Sequence, residues 1–117
     1  MKLLSSQYYK NTPDYALCYI IGNGGCGPGN GIGDIAVPDT IYGLNVKEAC
    51  KRHDFDYAIG GTEEDKIISD IRLLSNLVII IENNSRSRIL KTLRRHRAIK
   101  YYLAVSDFGG SSFTWEE

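Results

Sequence analysis

Long apolar runs are missing from this 117-residue chain. None approaches the roughly 18 consecutive residues that a membrane-crossing helix needs. The opening MKLLSSQYYK also lacks the apolar segment of a signal peptide. Neither a helical membrane span nor a Sec leader is expected, and the compartment is left open. Cysteine is scarce as well. Cys18, Cys26 and Cys50 are three, so at most one bridge can close within the chain, which excludes a small scaffold held together by disulfides. Net charge is absent too, with 14 Lys and Arg against 14 Asp and Glu.

What is present suffices for one core. The chain is 43% hydrophobic, with no internal repeat, low-complexity tract or linker. A chain of this length buries roughly two thirds of the surface its unfolded form exposes. A single domain over residues 1–117 is therefore expected. The zero net charge hides a segregation: residues 1–85 carry 7 cations against 11 anions, and residues 86–117 carry 7 cations against 3 anions. All seven of the latter cations lie in residues 86–100. One basic patch on an acidic body points to an anionic partner, phospholipid headgroups or nucleic acid, without choosing between them.

Helix signals divide the rest. Thr12-Pro13-Asp14 reads as N-cap, N1 and N2 of a helix ending before Gly22. Residues 22–43 hold eight Gly and two Pro, too many for a regular element, and long shaped loops of this kind are usually functional. Asn45 with Glu48 starts a second helix that should reach about Ala58, before Gly60-Gly61. Thr62 caps a third helix with an acidic first turn, whose apolar stripe is Ile67, Ile71, Leu74, Val78 and Ile81. A fourth, basic helix covers about residues 87–105, with Leu90, Leu93, Ala98, Tyr101, Tyr102 and Val105 on its less polar side, and the tail after Gly109-Gly110 should be loosely docked or frayed.

The chemistry concentrates on ACKRHDFDY, residues 49–57 of the second helix. Ala49, His53 and Tyr57 share one face at i, i+4 and i+8, and Cys50 and Asp54 share a neighbouring strip. On the third helix Asp70 interrupts the apolar stripe. A carboxylate there must find a partner or suffer desolvation; an imidazole is one available partner, and Arg72 or a backbone N–H is the structural alternative. Asp65 competes but belongs to the acidic first turn. The third element is the loop GGCGPGN at residues 24–30. Glycines let backbone carbonyls turn inward, and carbonyls with one or two carboxylates suit Ca²⁺, which takes 6–8 oxygen ligands. The phosphate-cradling patterns GxxxxGK[ST] and GxGxxG are both absent.

Together these motifs resemble the calcium-dependent phospholipase A2 superfamily. Its secreted members carry a YCGxG calcium loop followed by CCxxHDxCY on a helix; this chain has GCGPG at residues 25–29 and ACKRHDFDY at 49–57. The GPGN wording at 27–30 is similar to the phospholipase domain of parvovirus capsid proteins and to prokaryotic or phage-like members. The resemblance spans about residues 20–80. It implies an all-α fold in which two antiparallel core helices carry a His/Asp dyad, flanked by the calcium loop and the basic C-terminal helix. It implies hydrolysis of the sn-2 ester of glycerophospholipids, releasing fatty acid and lysophospholipid. His53 is then the base, Asp70 its orienting partner and Tyr57 a hydrogen-bond donor to Asp70. Carbonyls of Gly25, Gly27 and Gly29 with the Asp54 carboxylate would bind Ca²⁺. Ala49 and Asp56 stand where the family has half-cystines bridged to the following long helix, which here has no cysteine; Cys26 and Cys50 match the retained loop-to-helix bridge. Gly25 replaces the usual Tyr.

The expected partner is a phospholipid surface, docked through Arg94, Arg95 and Arg97, with no obligate protein partner. Virion association, a cytoplasmic setting or a non-Sec route all remain compatible. Two rivals come from other classes. Cys18, Cys26, Cys50 and His53 would make a Cys₃His zinc module, which leaves Asp54, Asp70 and GPGN unexplained. The basic helix could bind nucleic acid, which is not expected without interleaved aromatics or a recognisable motif.

Overall fold

The computed structural model describes residues 1–21 and 39–116. Among these the chain is mostly helical. Helices α1 (Gln7–Asn11) and α2 (Asp14–Ile21) precede a hairpin of β1 (Thr40–Ile41) and β2 (Leu44–Asn45), followed by α3 (Lys47–Ile59), α4 (Glu63–Asn84), α5 (Arg88–Phe108) and a 3₁₀ turn (Gly109–Ser111). The glycine loop, with Gly25, Cys26, Gly27 and Gly29, lies outside the described residues.

Local chemistry accounts for the boundaries that position the site. Thr62 and Asp65 form a reciprocal capping box at the start of α4. Gly60 (φ 72°) ends α3, and a Cβ there would meet the Thr114 carbonyl oxygen, so only glycine fits the turn that sends α4 back along α3. Ser87 caps α5 by accepting from Leu90 N–H. The connections 60–62 and 85–87 are short, so α3, α4 and α5 run antiparallel in succession. Ile41, Val46, Leu77, Ile81, Ala98 and Val105 belong to the core cluster that they enclose with the hairpin. At the other end of the chain, buried Asn76 holds the N-terminal segment by accepting from Leu4 N–H (2.6 Å) and donating to Leu4 C=O (2.9 Å).

Three expectations are corrected. The buried arc of α4 matches the predicted stripe only in part: Ile81 is buried and Leu74 packs on the core, but Ile67 and Ile71 are 51% and 48% exposed, while Lys66, Ser69, Asp70, Leu73, Asn76 and Leu77 face inward. Periodicity counts apolar residues alone, whereas this helix buries polar groups that satisfy one another, and its inner face is rotated accordingly. The tail is not frayed. Phe113 is buried, Thr114 N–H donates to Tyr57 C=O (3.1 Å), and Gly61 N–H to Thr114 C=O (2.9 Å). Finally, the expectation that residues 22–43 hold no regular element fails at Thr40–Ile41, which pair as β1 with β2, and α1 lies where no element is expected. The hairpin turns on Tyr42 (φ 46°) and Gly43 (φ 78°), the positive-φ pair of a type I′ turn, with the unusual Tyr held from α5.

Candidate functional site

The inner faces of α3 and α4 meet at a buried polar cluster. His53 Nε2 lies 2.8 Å from Asp70 Oδ1, and the Tyr57 hydroxyl donates to the same oxygen at 2.6 Å. The other carboxylate oxygen, Oδ2, accepts from Lys66 Nζ at 2.8 Å. His53 and Asp70 are each 1% exposed. A carboxylate only accepts, so the proton between ring and carboxylate sits on Nε2 and the neutral ring leaves Nδ1 with a bare lone pair. Among the described residues, Nδ1 is the one buried side-chain polar atom without a partner.

The charges follow from these contacts. Burial works to raise the Asp70 pKa, but donors from His53, Lys66 and Tyr57 outweigh it and hold the carboxyl below its ordinary range. Burial lowers the His53 pKa, against the opposing pull of Asp70, so the resting ring is neutral. The Tyr57 phenol is pushed up by burial and by its bond to Asp70, so it stays a donor.

Asp54, one residue beyond His53, is half-buried. Burial first and the nearby Asp39 second push its carboxyl up to about 7, and among the described residues it makes no hydrogen bond or ion pair. A desolvated carboxylate with a second acid nearby fits a hard divalent cation. Asp56 instead pairs with Arg72 at 2.6 Å, tying α3 to α4 at a position where the resembling family has a half-cystine. That pairing removes Arg72 as an alternative partner for Asp70. Cys50 is buried on α3, and its proposed bridge partner Cys26 lies outside the described residues. For the zinc alternative, His53 Nε2 is committed to Asp70, while Cys26 lies outside the described residues.

The arginines expected at a membrane behave differently. Arg94 is buried, and its guanidinium donates to Ile41 C=O (3.2 Å), Tyr42 C=O (2.7 Å) and Ser85 Oγ (2.9 Å). It pins the strained hairpin, and its assignment to a docking surface is corrected. Arg95 is exposed but engaged by Glu82. Arg97 donates to the Tyr42 hydroxyl (3.0 Å) and stacks on that ring. Arg94→Ala is expected to cost about 3 kcal/mol, since it leaves buried acceptors unsatisfied. Thermal unfolding would check this.

Three features escaped the sequence reading. Lys66 stands four residues before Asp70, a spacing at which helical ion pairs form, and this signal was available. Asp39, beside Asp54, had none, because only the hairpin brings it there. The third is the C-terminal turn. A Cβ on Gly109 would lie 2.5 Å from the Tyr57 hydroxyl, and Phe113 packs edge-on to the Tyr57 ring at 5.2 Å. Gly109→Ala should therefore displace the hydroxyl from Asp70 and destabilise the fold by about 1–3 kcal/mol, which melting and the Tyr57 ring resonances would register.

No protein-family model, curated protein or solved structure matches the chain. The functional reading consequently rests on the motifs and the geometry.

Proposed function

We propose that this chain is a calcium-dependent phospholipase A2 that hydrolyses the sn-2 ester of glycerophospholipids. The observation that carries the reading is the buried His53–Asp70 pair with Nδ1 bare. That atom can take a proton from an attacking water, and Asp70, fixed behind the ring, stabilises the imidazolium that results. Tyr57 supports the same oxygen of Asp70. As the water is deprotonated it adds to the ester carbonyl; the proton on Nδ1 then passes to the departing glycerol oxygen, and no acyl-enzyme forms.

Asp54 suits a calcium ligand because it is desolvated and without a partner among the described residues. The carbonyls of Gly25, Gly27 and Gly29 are the other proposed ligands, on residues outside those described. A bound Ca²⁺ would supply polarisation of the ester carbonyl and charge stabilisation of the oxyanion.

The proposed partner is an anionic phospholipid surface, met through the outer face of α5. Ile89, Leu93 and Leu103 are 75%, 43% and 50% exposed there, and Lys100 falls on the same face by helical spacing. Arg86, Arg88 and Lys100 make no ion pair among the described residues, in contrast to Arg95. Apolar residues flanking Lys100 on one exposed face, with Arg88 at the N-terminal end of the same helix, suit the headgroup level. Each Lys or Arg near an anionic bilayer contributes about 1 kcal/mol. Arg88→Gln with Lys100→Gln should therefore weaken binding to anionic vesicles by about tenfold or more at low salt. Hydrolysis of a monomeric substrate should be spared. Vesicle sedimentation across a salt series checks this, and unchanged binding would move the docking surface elsewhere.

The reaction itself is tested with mixed-chain phospholipid vesicles, with and without EGTA. Release of the sn-2 fatty acid only when calcium is present is expected. Release of the sn-1 chain, or full activity in chelator, would overturn the reading.

A further inference from the structure

Lys66 has no part in the scheme above, yet it is among the most committed side chains near the site. It is 7% exposed, and its ammonium donates to Asp70 Oδ2 (2.8 Å), Val105 C=O (3.0 Å) and Ser106 C=O (3.3 Å). An ammonium has three N–H donors, and all three are used. Two of them bind the closing turn of α5, so a group on α4 is gripped from the C-terminal end of a third helix. The oxygen it holds is the one that neither His53 nor Tyr57 touches.

A carboxylate with donors on one oxygen only can swing about its Cβ–Cγ bond, and the two oxygens can exchange roles. His53 and Tyr57 both rely on Oδ1. A third donor fixed on Oδ2 removes that freedom and sets the carboxylate plane. The anchor is itself rigid, because Val105 is buried and its carbonyl also accepts from the N–H of Gly109.

We infer that Lys66 is a positioning residue: it locks the Asp70 carboxylate from the end of α5 so that one oxygen orients the His53 ring and leaves Nδ1 bare. The inference rests on the hydrolase reading for its kinetic arm and on the ring itself for its spectroscopic arm. Outer partners of metal-ligating side chains typically change affinity or activity by about 10–100-fold when removed, and Lys66 stands one step behind the His53 ring in the same way.

The test uses the full chain with Lys66→Met, Asp70→Asn and the double variant, on a short-chain phospholipid below its micellar concentration. Lys66→Met should lower kcat about tenfold with KM within about twofold, the pattern of a lost transition-state contribution. In the Asp70→Asn background the same substitution should change kcat by less than about twofold, because the group it acts through is already altered. Multiplied losses in the double variant would assign Lys66 to holding α5 alone and overturn the inference. The second arm records ¹⁵N shifts of the His53 ring. The wild type should show Nε2 protonated and Nδ1 bare, and Lys66→Met should shift and broaden the Nε2 signal as its acceptor loses a fixed plane. Unchanged shifts overturn the inference even where kcat falls. If the wild type hydrolyses no phospholipid, the hydrolase reading fails, and the ring shifts alone decide the role of Lys66. Should Lys66→Met not fold, Lys66→Gln replaces it: one bond shorter and uncharged, it should give the same loss, and an unaltered kcat would overturn the proposal.

Discussion

His53→Ala is expected to reduce hydrolysis of a monomeric phospholipid by about 10³-fold, within the range that a positioned general base contributes. The protein should stay folded. His53 is buried and its removal leaves a cavity, but Asp70 keeps Tyr57 and Lys66 as donors, so no bare charge is stranded. Calcium binding should persist, because in the proposed scheme the ring is a base and not a ligand. Asp70→Asn should cost less than His53→Ala: an amide oxygen can still accept from the ring, and Tyr57 still reaches it. Initial rates, calorimetric titration with calcium and thermal unfolding separate these outcomes. A His53→Ala protein that retained more than about a tenth of wild-type turnover would remove His53 from the chemistry. One that lost both fold and metal would restore the zinc module.

The parts of the fold legible in the sequence are those governed by local rules. Thr62 with Asp65, Ser87 and the Gly60 turn mark helix ends through hydrogen bonds or backbone angles that neighbouring residues supply, and the structure places α4 and α5 close to where these residues predict. His53 and Tyr57 were legible because they repeat at i and i+4. Asp70 was legible because a carboxylate in an apolar stripe demands a partner. What was not legible depends on contacts between distant residues. Arg94 reads as one cation in a basic run, and nothing local says that the hairpin carbonyls of Ile41 and Tyr42 will enclose it. The same holds for the tail, which docks on Tyr57 and Gly61. The α4 stripe holds at Leu74 and Ile81 but fails at Ile67 and Ile71 for a further reason: burial of Lys66, Ser69, Asp70 and Asn76 turns that part of the helix inward on its polar side, and a count of apolar residues cannot register satisfied polar groups.

Asp54→Asn is expected to abolish calcium-dependent hydrolysis while leaving the helical fold intact. The carboxylate is the one charged ligand proposed for the cation, the others being neutral carbonyls. So low a ligand charge already implies a weak site, with a Kd of about 10⁻⁴ to 10⁻³ M. Without the negative charge, binding should fall below detection. The fold should not suffer, because among the described residues Asp54 makes no hydrogen bond or ion pair that the substitution would break. Its ionised form is in fact unfavourable in the absence of metal. Burial, and Asp39 after it, raise the folded-state pKa to about 7 from an ordinary 3.8. A carboxyl raised in this way is more readily protonated folded than unfolded, so its contribution to stability falls as pH rises from about 4 and is fully lost above about 7. In EGTA, therefore, Asp54→Asn should melt higher than wild type at pH 8, and the gap should close as pH falls towards 4. Added calcium should reverse the order at pH 8. It binds the folded wild type and raises its melting temperature by mass action, and it should leave Asp54→Asn unmoved. Equal calcium stabilisation of both proteins would place the cation away from Asp54, and the calcium requirement would then need other ligands.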